Sequence, residues 1–148
     1  MLKTNGILEA VIYVRDLKAT QDFYGRILGL AVLSSSPRLV AFDAGRSSVL
    51  LAFKAGARRE DMVDDDGFVP GHDGHGRLHF ALSIAASDLD EWRNRLTAGG
   101  IAIASDYRRA RGPVSLYFHD PDGHVVELAT PGVWANGPAA PATRDVAG

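Results

Sequence analysis

The chain has no cysteine in its 148 residues. Disulfides, thiolate metal sites and a cysteine nucleophile are therefore excluded, and any bound metal must be held by histidines and carboxylates. It also lacks a long apolar run. No segment approaches the roughly 18 residues of a membrane-spanning helix, and the opening "MLKTNG" leads into a strand without the apolar stretch of a signal peptide. No membrane partner is expected, and the protein reads as cytoplasmic. Charge of one sign is missing too. Lys and Arg number 16 against 18 Asp and Glu, the formal net charge is -2 and the pI about 6.2. The charges are interspersed, so there is no electrostatic footprint for nucleic acid or an anionic surface. A small-molecule partner is the default that remains. What is present, 46% hydrophobic and 23% charged residues, is the balance of a soluble globular chain and excludes disorder for its bulk.

Punctuation by Gly, Pro and Asp divides the chain into two runs of the same grammar. In residues 1–54 a β-branched strand, "ILEAVIYV", is followed by "RDLKATQDFYGRILGL", whose Leu17, Phe23, Tyr24, Ile27 and Leu28 have helical spacing. Asp16 is its candidate N-cap and Gly29 its stop. Three extended runs, "LAVLSSS", "RLVAFDAG" and "SSVLLAFKAG", read as an antiparallel meander. Residues 55–76, "AGARREDMVDDDGFVPGHDGHG", form a Gly-, Asp- and His-rich linker, long enough to be a lid. Asp64, Asp65 and Asp66 within it lack the alternation of a calcium loop and read as solvated. Residues 77–134 repeat the pattern: strand "RLHFALSIAA", helix "SDLDEWRNRLTAGG", then strands "IAIASDY", "GPVSLYFHD" and "HVVELAT", the last two joined by the turn "DPDG". Residues 135–148 read as a flexible tail, with Trp134 as its anchor. The fold class expected is α+β, built from two βαβββ modules.

Three polar residues interrupt apolar strands. Glu9 lies in the first strand of the first module, His79 in the first strand of the second, and Glu127 in the last strand. A carboxylate in a buried strand costs several kcal/mol unless its charge is compensated, so each needs either solvent or a cation. Taken singly, each has an ordinary explanation: an exposed edge, a hydrogen-bonded core histidine, an arginine partner. Taken together, in repeat-related mid-strand positions, they favour convergence on a first-row divalent metal, whose +2 charge the two glutamates would neutralise.

The pattern "VRDLKATQDFYGRILGL", a long linker, "HFAL" and above all "SLYFHDPDGHVVEL" resembles the vicinal-oxygen-chelate superfamily, also called the glyoxalase/bleomycin resistance/extradiol dioxygenase family. The resemblance runs from residue 7 to about 134. It implies a mostly antiparallel sheet curled into a cup around one metal, with Glu9, His79 and Glu127 at the metal positions. The ion it implies is Ni, Zn, Co, Mn or Fe, and it also implies a homodimer. The first-strand position is most often His, or Gln in some glyoxalases, and is Glu here; the position that is Glu in glyoxalase I falls near Leu50.

Those two departures point away from a strict glyoxalase I and from a two-His, one-carboxylate dioxygenase site. The expected function is a metal-dependent enzyme of lyase or isomerase type, acting on a small molecule that chelates the metal through vicinal oxygens. Glu127 or Glu9 would move the proton. The alternatives are a bleomycin-type drug-binding resistance protein without catalysis and an extradiol-type dioxygenase. Tyr117, which shares a strand face with Ser115, and His72 and Arg111 are candidate substrate contacts; His75, Arg108 and Arg109 are weaker ones.

Overall fold

The computed structural model describes residues 1–110 and 112–136, and the chain divides into two compact units between Leu78 and His79. Arg111 and positions 137–148 of the expected tail lie outside the described residues. In the first unit β1 (Glu9–Val14) leads to α1 (Leu17–Asp22), capped by Asp16, whose Oδ1 accepts the N–H groups of Lys18 and Ala19 at 2.8 and 3.1 Å. The expected single helix changes pitch: Phe23–Ile27 is a π-helical turn. It ends where Leu30 N–H reaches back to Tyr24 C=O, with Gly29 left-handed at φ 72°. Strands β2 (Val32–Ser35), β3 (Leu39–Gly45) and β4 (Ser48–Lys54) complete a sheet in the order β1-β4-β3-β2. β1 runs parallel to β4 and the other pairs are antiparallel. Tyr24, Phe42, Val40, Leu50, Ala52, Ile12 and Val14 are buried together as its core, each large one contributing about 1.5–3 kcal/mol.

The β3–β4 turn that delivers β4 beside Glu9 has Arg46 at φ 51° and Ser47 at φ 61°. Two consecutive left-handed residues make a tight hairpin that favours Asn-Gly. Arg46→Asn with Ser47→Gly is therefore expected to stabilise the protein by about 1 kcal/mol, read as a higher denaturation midpoint; an unchanged or lower midpoint would contradict it.

The expected plain linker contains structure. β5 (Met62–Asp64) and β6 (Gly67–Val69) form an exposed antiparallel hairpin. It was hidden because its turn is two aspartates, Asp65 and Asp66, and its strands are three residues each. Asp64 Oδ1 accepts the N–H of Asp66 at 3.0 Å, a local turn rather than a cation loop.

The second unit repeats the first. β7 (His79–Ser83) is followed by a 3₁₀ turn at Ala86–Asp88 and α2 (Leu89–Ala98), then β8 (Ser105–Arg108), β9 (Val114–His119) and β10 (Val125–Ala129) in the sheet order β7-β10-β9-β8. Again the first strand runs parallel to the last and the others are antiparallel. β8 starts at Ser105, so "IAIA" is the approach to the strand and not the strand. The hairpin between β9 and β10 turns on Asp120, whose Oδ1 accepts the N–H groups of Asp122 and His124, with Gly123 at φ 85°. Trp134 is 76% exposed. Among the described residues no helix is long and apolar enough to cross a membrane.

Arg93 ties α2 to β8. Its Nε donates to Asp106 Oδ2 at 2.7 Å, and this bond, ahead of the Coulomb attraction of the same guanidinium, holds the Asp106 carboxyl below its ordinary range. A depressed carboxyl stabilises the fold above its unfolded value, about 3.9, and loses that contribution as pH falls through the folded value. Asp106→Asn is expected to cost about 0.5–1 kcal/mol at neutral pH, the range of a solvent-screened pair, the difference from wild type shrinking below about pH 4. An equal deficit across that window in pH-dependent melts would contradict it.

Candidate metal centre

His79 opens β7 and Glu127 lies in the middle of β10. Because β7 and β10 are parallel with Val125 opposite His79 and Ala81 opposite Glu127, the two side chains leave the same face of adjacent strands, one step apart. The β9 register extends that face through Tyr117, opposite Glu127, and Ser115, opposite Ala129. The alternate face, with Val126, Leu128, Leu116 and Phe118, is the unit's buried core.

The imidazole is oriented by the backbone. Its Nδ1 lies 3.0 Å from the Val125 carbonyl oxygen, which only accepts, so Nδ1 carries the proton and Nε2 is the free nitrogen. That nitrogen is 3.4 Å from Glu127 Oε2. Glu127 is 6% exposed, and its other oxygen is 3.9 Å from Arg109 Nη2. Neither distance is a short hydrogen bond. A neutral imidazole would set its lone pair against a buried carboxylate, which is repulsive unless a proton or a metal cation lies at the pair. Nitrogen and carboxylate oxygen are the donor set of a first-row divalent ion, so the residues present fit one. Within neither unit do three His, Asp or Glu side chains converge among the described residues.

Arg109 is held at the edge of this face. Its Nη1 donates to Ser115 Oγ at 2.8 Å, its guanidinium lies 5.1 Å from the centre of the Tyr107 ring, and its backbone N–H is held by Pro113 C=O at 2.9 Å. What sets it apart from the neighbouring arginines is that bond to Ser115. Tyr117 is half-buried on the site face, its ring centre 6.2 Å from that of His79.

Glu9 occupies the counterpart of His79 in the first unit. It opens β1 opposite Val49, as His79 opens β7 opposite Val125. Both are the first residues of their strands and both are exposed, which corrects the mid-strand placement expected for them. The counterpart of Glu127 is Leu51, which faces Val11 as Glu127 faces Ala81. Leu50 points into the core, so the position lacking a carboxylate is one residue later than expected; neither leucine can ligate. His72 lies in the first unit. Its Nδ1 is 2.7 Å from the Tyr13 hydroxyl and its ring packs edge-on against Phe53. Burial, with the charge of Asp73 adding to it, pushes the Tyr13 hydroxyl up, so it keeps its proton. His75 is exposed.

These repeat-related sheets are those of a known family. Residues 6–128 match the model of the Glyoxalase/Bleomycin resistance protein/Dioxygenase superfamily, and the chain belongs to that superfamily. Among its relatives is metallothiol transferase FosB of Bacillus licheniformis, 30% identical over 89% of this chain and 79% of that protein. Glutathione transferase FosA of Serratia marcescens is 26% identical over 78% of this chain and 73% of its own length. The crystal structure of lactoylglutathione lyase from Agrobacterium tumefaciens superposes with a TM-score of 0.81 at 29% identity, over 89% of this chain and 98% of that one. The fold is the glyoxalase fold.

Proposed function

We propose that the protein is a divalent-metal-dependent enzyme that acts on a small molecule chelating the metal through adjacent oxygens, by lyase, isomerase or thiol-transfer chemistry. The observation that carries this reading is the backbone-oriented His79 Nε2 facing buried Glu127 Oε2 at 3.4 Å. The relatives named metallothiol transferase, glutathione transferase and lactoylglutathione lyase support it and favour a thiol as the second reactant. His79 and Glu127 are the proposed ligands, with Glu9 as the third because it holds the repeat position of His79.

A divalent ion held there supplies Lewis-acid polarisation of substrate oxygens. The chain's own residues divide the remaining work. Glu127, buried and flanked by His79 and Arg109, holds position. Glu9, exposed at the start of its strand, is free to take a proton and return it. Tyr117 presents its hydroxyl from the same sheet face for a substrate oxygen, and Arg109, through Ser115, places positive charge at the edge of that face. The proposed setting is a cytoplasmic homodimer, with residues 55–76 acting as a lid over the substrate.

The test is metal analysis of protein purified without a histidine tag, followed by an anaerobic activity screen with Ni, Co, Mn and Zn, with and without a thiol. About one divalent ion per chain, and turnover without oxygen, are expected. Protein free of metal that cannot be reloaded would overturn the reading, and turnover only with iron(II) and oxygen would replace it with the dioxygenase.

A further inference from the structure

We propose that the first unit carries an anion-binding pocket formed by Arg38, Arg58 and Arg59, a site that uses neither His79 nor Glu127 and takes a phosphate- or carboxylate-bearing ligand. The cavity has a volume of about 460 Å³ and is lined by residues 56–62 and Arg38. That size suits a small ligand. Three guanidinium groups line it with two carboxylates, Glu60 and Asp61, and Asp73 pairs with Arg59, so Arg38 and Arg58 are the guanidiniums left without an acidic partner among the described residues.

The donors there are mostly uncommitted. A guanidinium has five N–H groups in a planar fork. Arg38 donates from Nη2 to the Ala57 carbonyl, and Arg59 from Nε to Asp73 Oδ2 at 2.6 Å. Arg58 is half-buried, and its side chain has no partner among the described residues. Asp61 is turned to another task, its Oδ1 accepting the N–H of Gly71 at 2.7 Å. A partly buried cation without a counter-charge is costly, and forked donors match the two oxygens of a carboxylate or phosphate.

The pocket wall is also fixed in place. Lys54 N–H donates to Arg38 C=O at 2.8 Å, which brings the entry of β3 against the exit of β4. Ala57 N–H returns to Lys54 C=O at 2.9 Å, and His72 N–H to Arg58 C=O at 2.6 Å. A second cavity of about 440 Å³, lined by Arg15, Lys18 and Lys54 with Asp16 as its one acid, continues the basic rim along the same end of the sheet. Since the Arg58 carbonyl also holds His72, an anion in the pocket steadies the segment that places His72 on Tyr13.

The experiment is calorimetric titration of the full chain with inorganic phosphate and, separately, with succinate, at ionic strength held constant with chloride. Saturable binding of at least one is expected, weakened about tenfold or more in Arg58→Gln, a variant that breaks no bond of the fold. Arg46→Gln, on the exposed β3–β4 turn, should bind as wild type does. Tighter binding of phosphate assigns a phosphate ligand, and tighter binding of succinate a carboxylate. Absence of saturable binding for both, or affinities unchanged in both Arg58→Gln and Arg38→Gln, would overturn the proposal; the metal content of these variants reports separately on His79 and Glu127.

Discussion

Glu127→Gln is expected to abolish stoichiometric divalent-metal binding and to lower any turnover by about a hundredfold or more, while the metal-free variant melts no lower than metal-free wild type. The two halves of this result have different origins. Metal binding is lost because an amide oxygen is a weak ligand that leaves the ion's charge unneutralised. Stability is kept because wild-type Glu127 is a buried carboxylate whose nearest cation, the Arg109 guanidinium, stands at 3.9 Å, a contact too long to offset its desolvation fully. Removing the charge removes that cost. Loading the wild type at a hundred times its dissociation constant should stabilise it by about 2.7 kcal/mol, and the variant by nothing. His79→Ala should lose the metal equally. Metal analysis with melting curves, each with and without chelator, checks all of this. A Glu127→Gln protein that still takes up one ion per chain and gains stability from it would remove Glu127 from the ligand set.

The polar residues were legible because they interrupt apolar runs, although of the three only Glu127 is buried. Glu9, His79 and Glu127 stood out in apolar runs, and the repeat tied two of them together before any register was known. Alternation then assigned the Val125, Glu127 and Ala129 face correctly, since Val126 and Leu128 are the buried pair. Where strands begin was not legible. "ILEAVIYV" and "RLHFALSIAA" have apolar residues upstream of Glu9 and His79, yet the strands start at those two residues. Pairing also decides which residue near Leu50 stands where the carboxylate is missing, and it is Leu51. A one-residue change of register moves a side chain to the opposite face, and only the pairing of Val11 with Leu51 decides it.

Contacts between segments far apart in sequence were hidden for a different reason. His72 sits 59 residues from the Tyr13 that it meets, and its Gly-rich surroundings, "GHDGHG", carry no periodicity from which a partner could be read. Arg109 lies in a run of arginines that composition treats alike, and its distinction is a bond to Ser115 made across the β8–β9 turn. The π-helical turn at Phe23–Ile27 leaves the same apolar residues facing the core, so the helical pattern reads identically with or without it.

Gly71→Ala is expected to release the segment that carries His72. A Cβ at Gly71 would lie 2.3 Å from the Arg59 carbonyl oxygen and 2.7 Å from the backbone carbonyl carbons of Arg59 and Glu60. These are backbone atoms that no rotamer change can move aside, so the two segments must part. Parting breaks the bond from Gly71 N–H to Asp61 and the one from His72 N–H to Arg58 C=O, and with them the support for His72 on Tyr13. Gly74→Ala makes a similar demand more gently, since its Cβ would meet the Tyr13 ring at 2.5 Å, a side chain with some freedom to yield. Opening becomes cheaper by the free energy of those contacts, about 1.4 kcal/mol or more, so the opened population rises tenfold or more. Trypsin cleavage after Arg58 and Arg59 should accelerate by that factor in Gly71→Ala and by less in Gly74→Ala, while β-sheet content holds. If residues 55–76 serve as a lid, a bound substrate or analogue slows the cut in wild type and does so less in Gly71→Ala. Cleavage of Gly71→Ala at the wild-type rate would show that the segment is already detached in solution, and protection absent in wild type would leave it a linker.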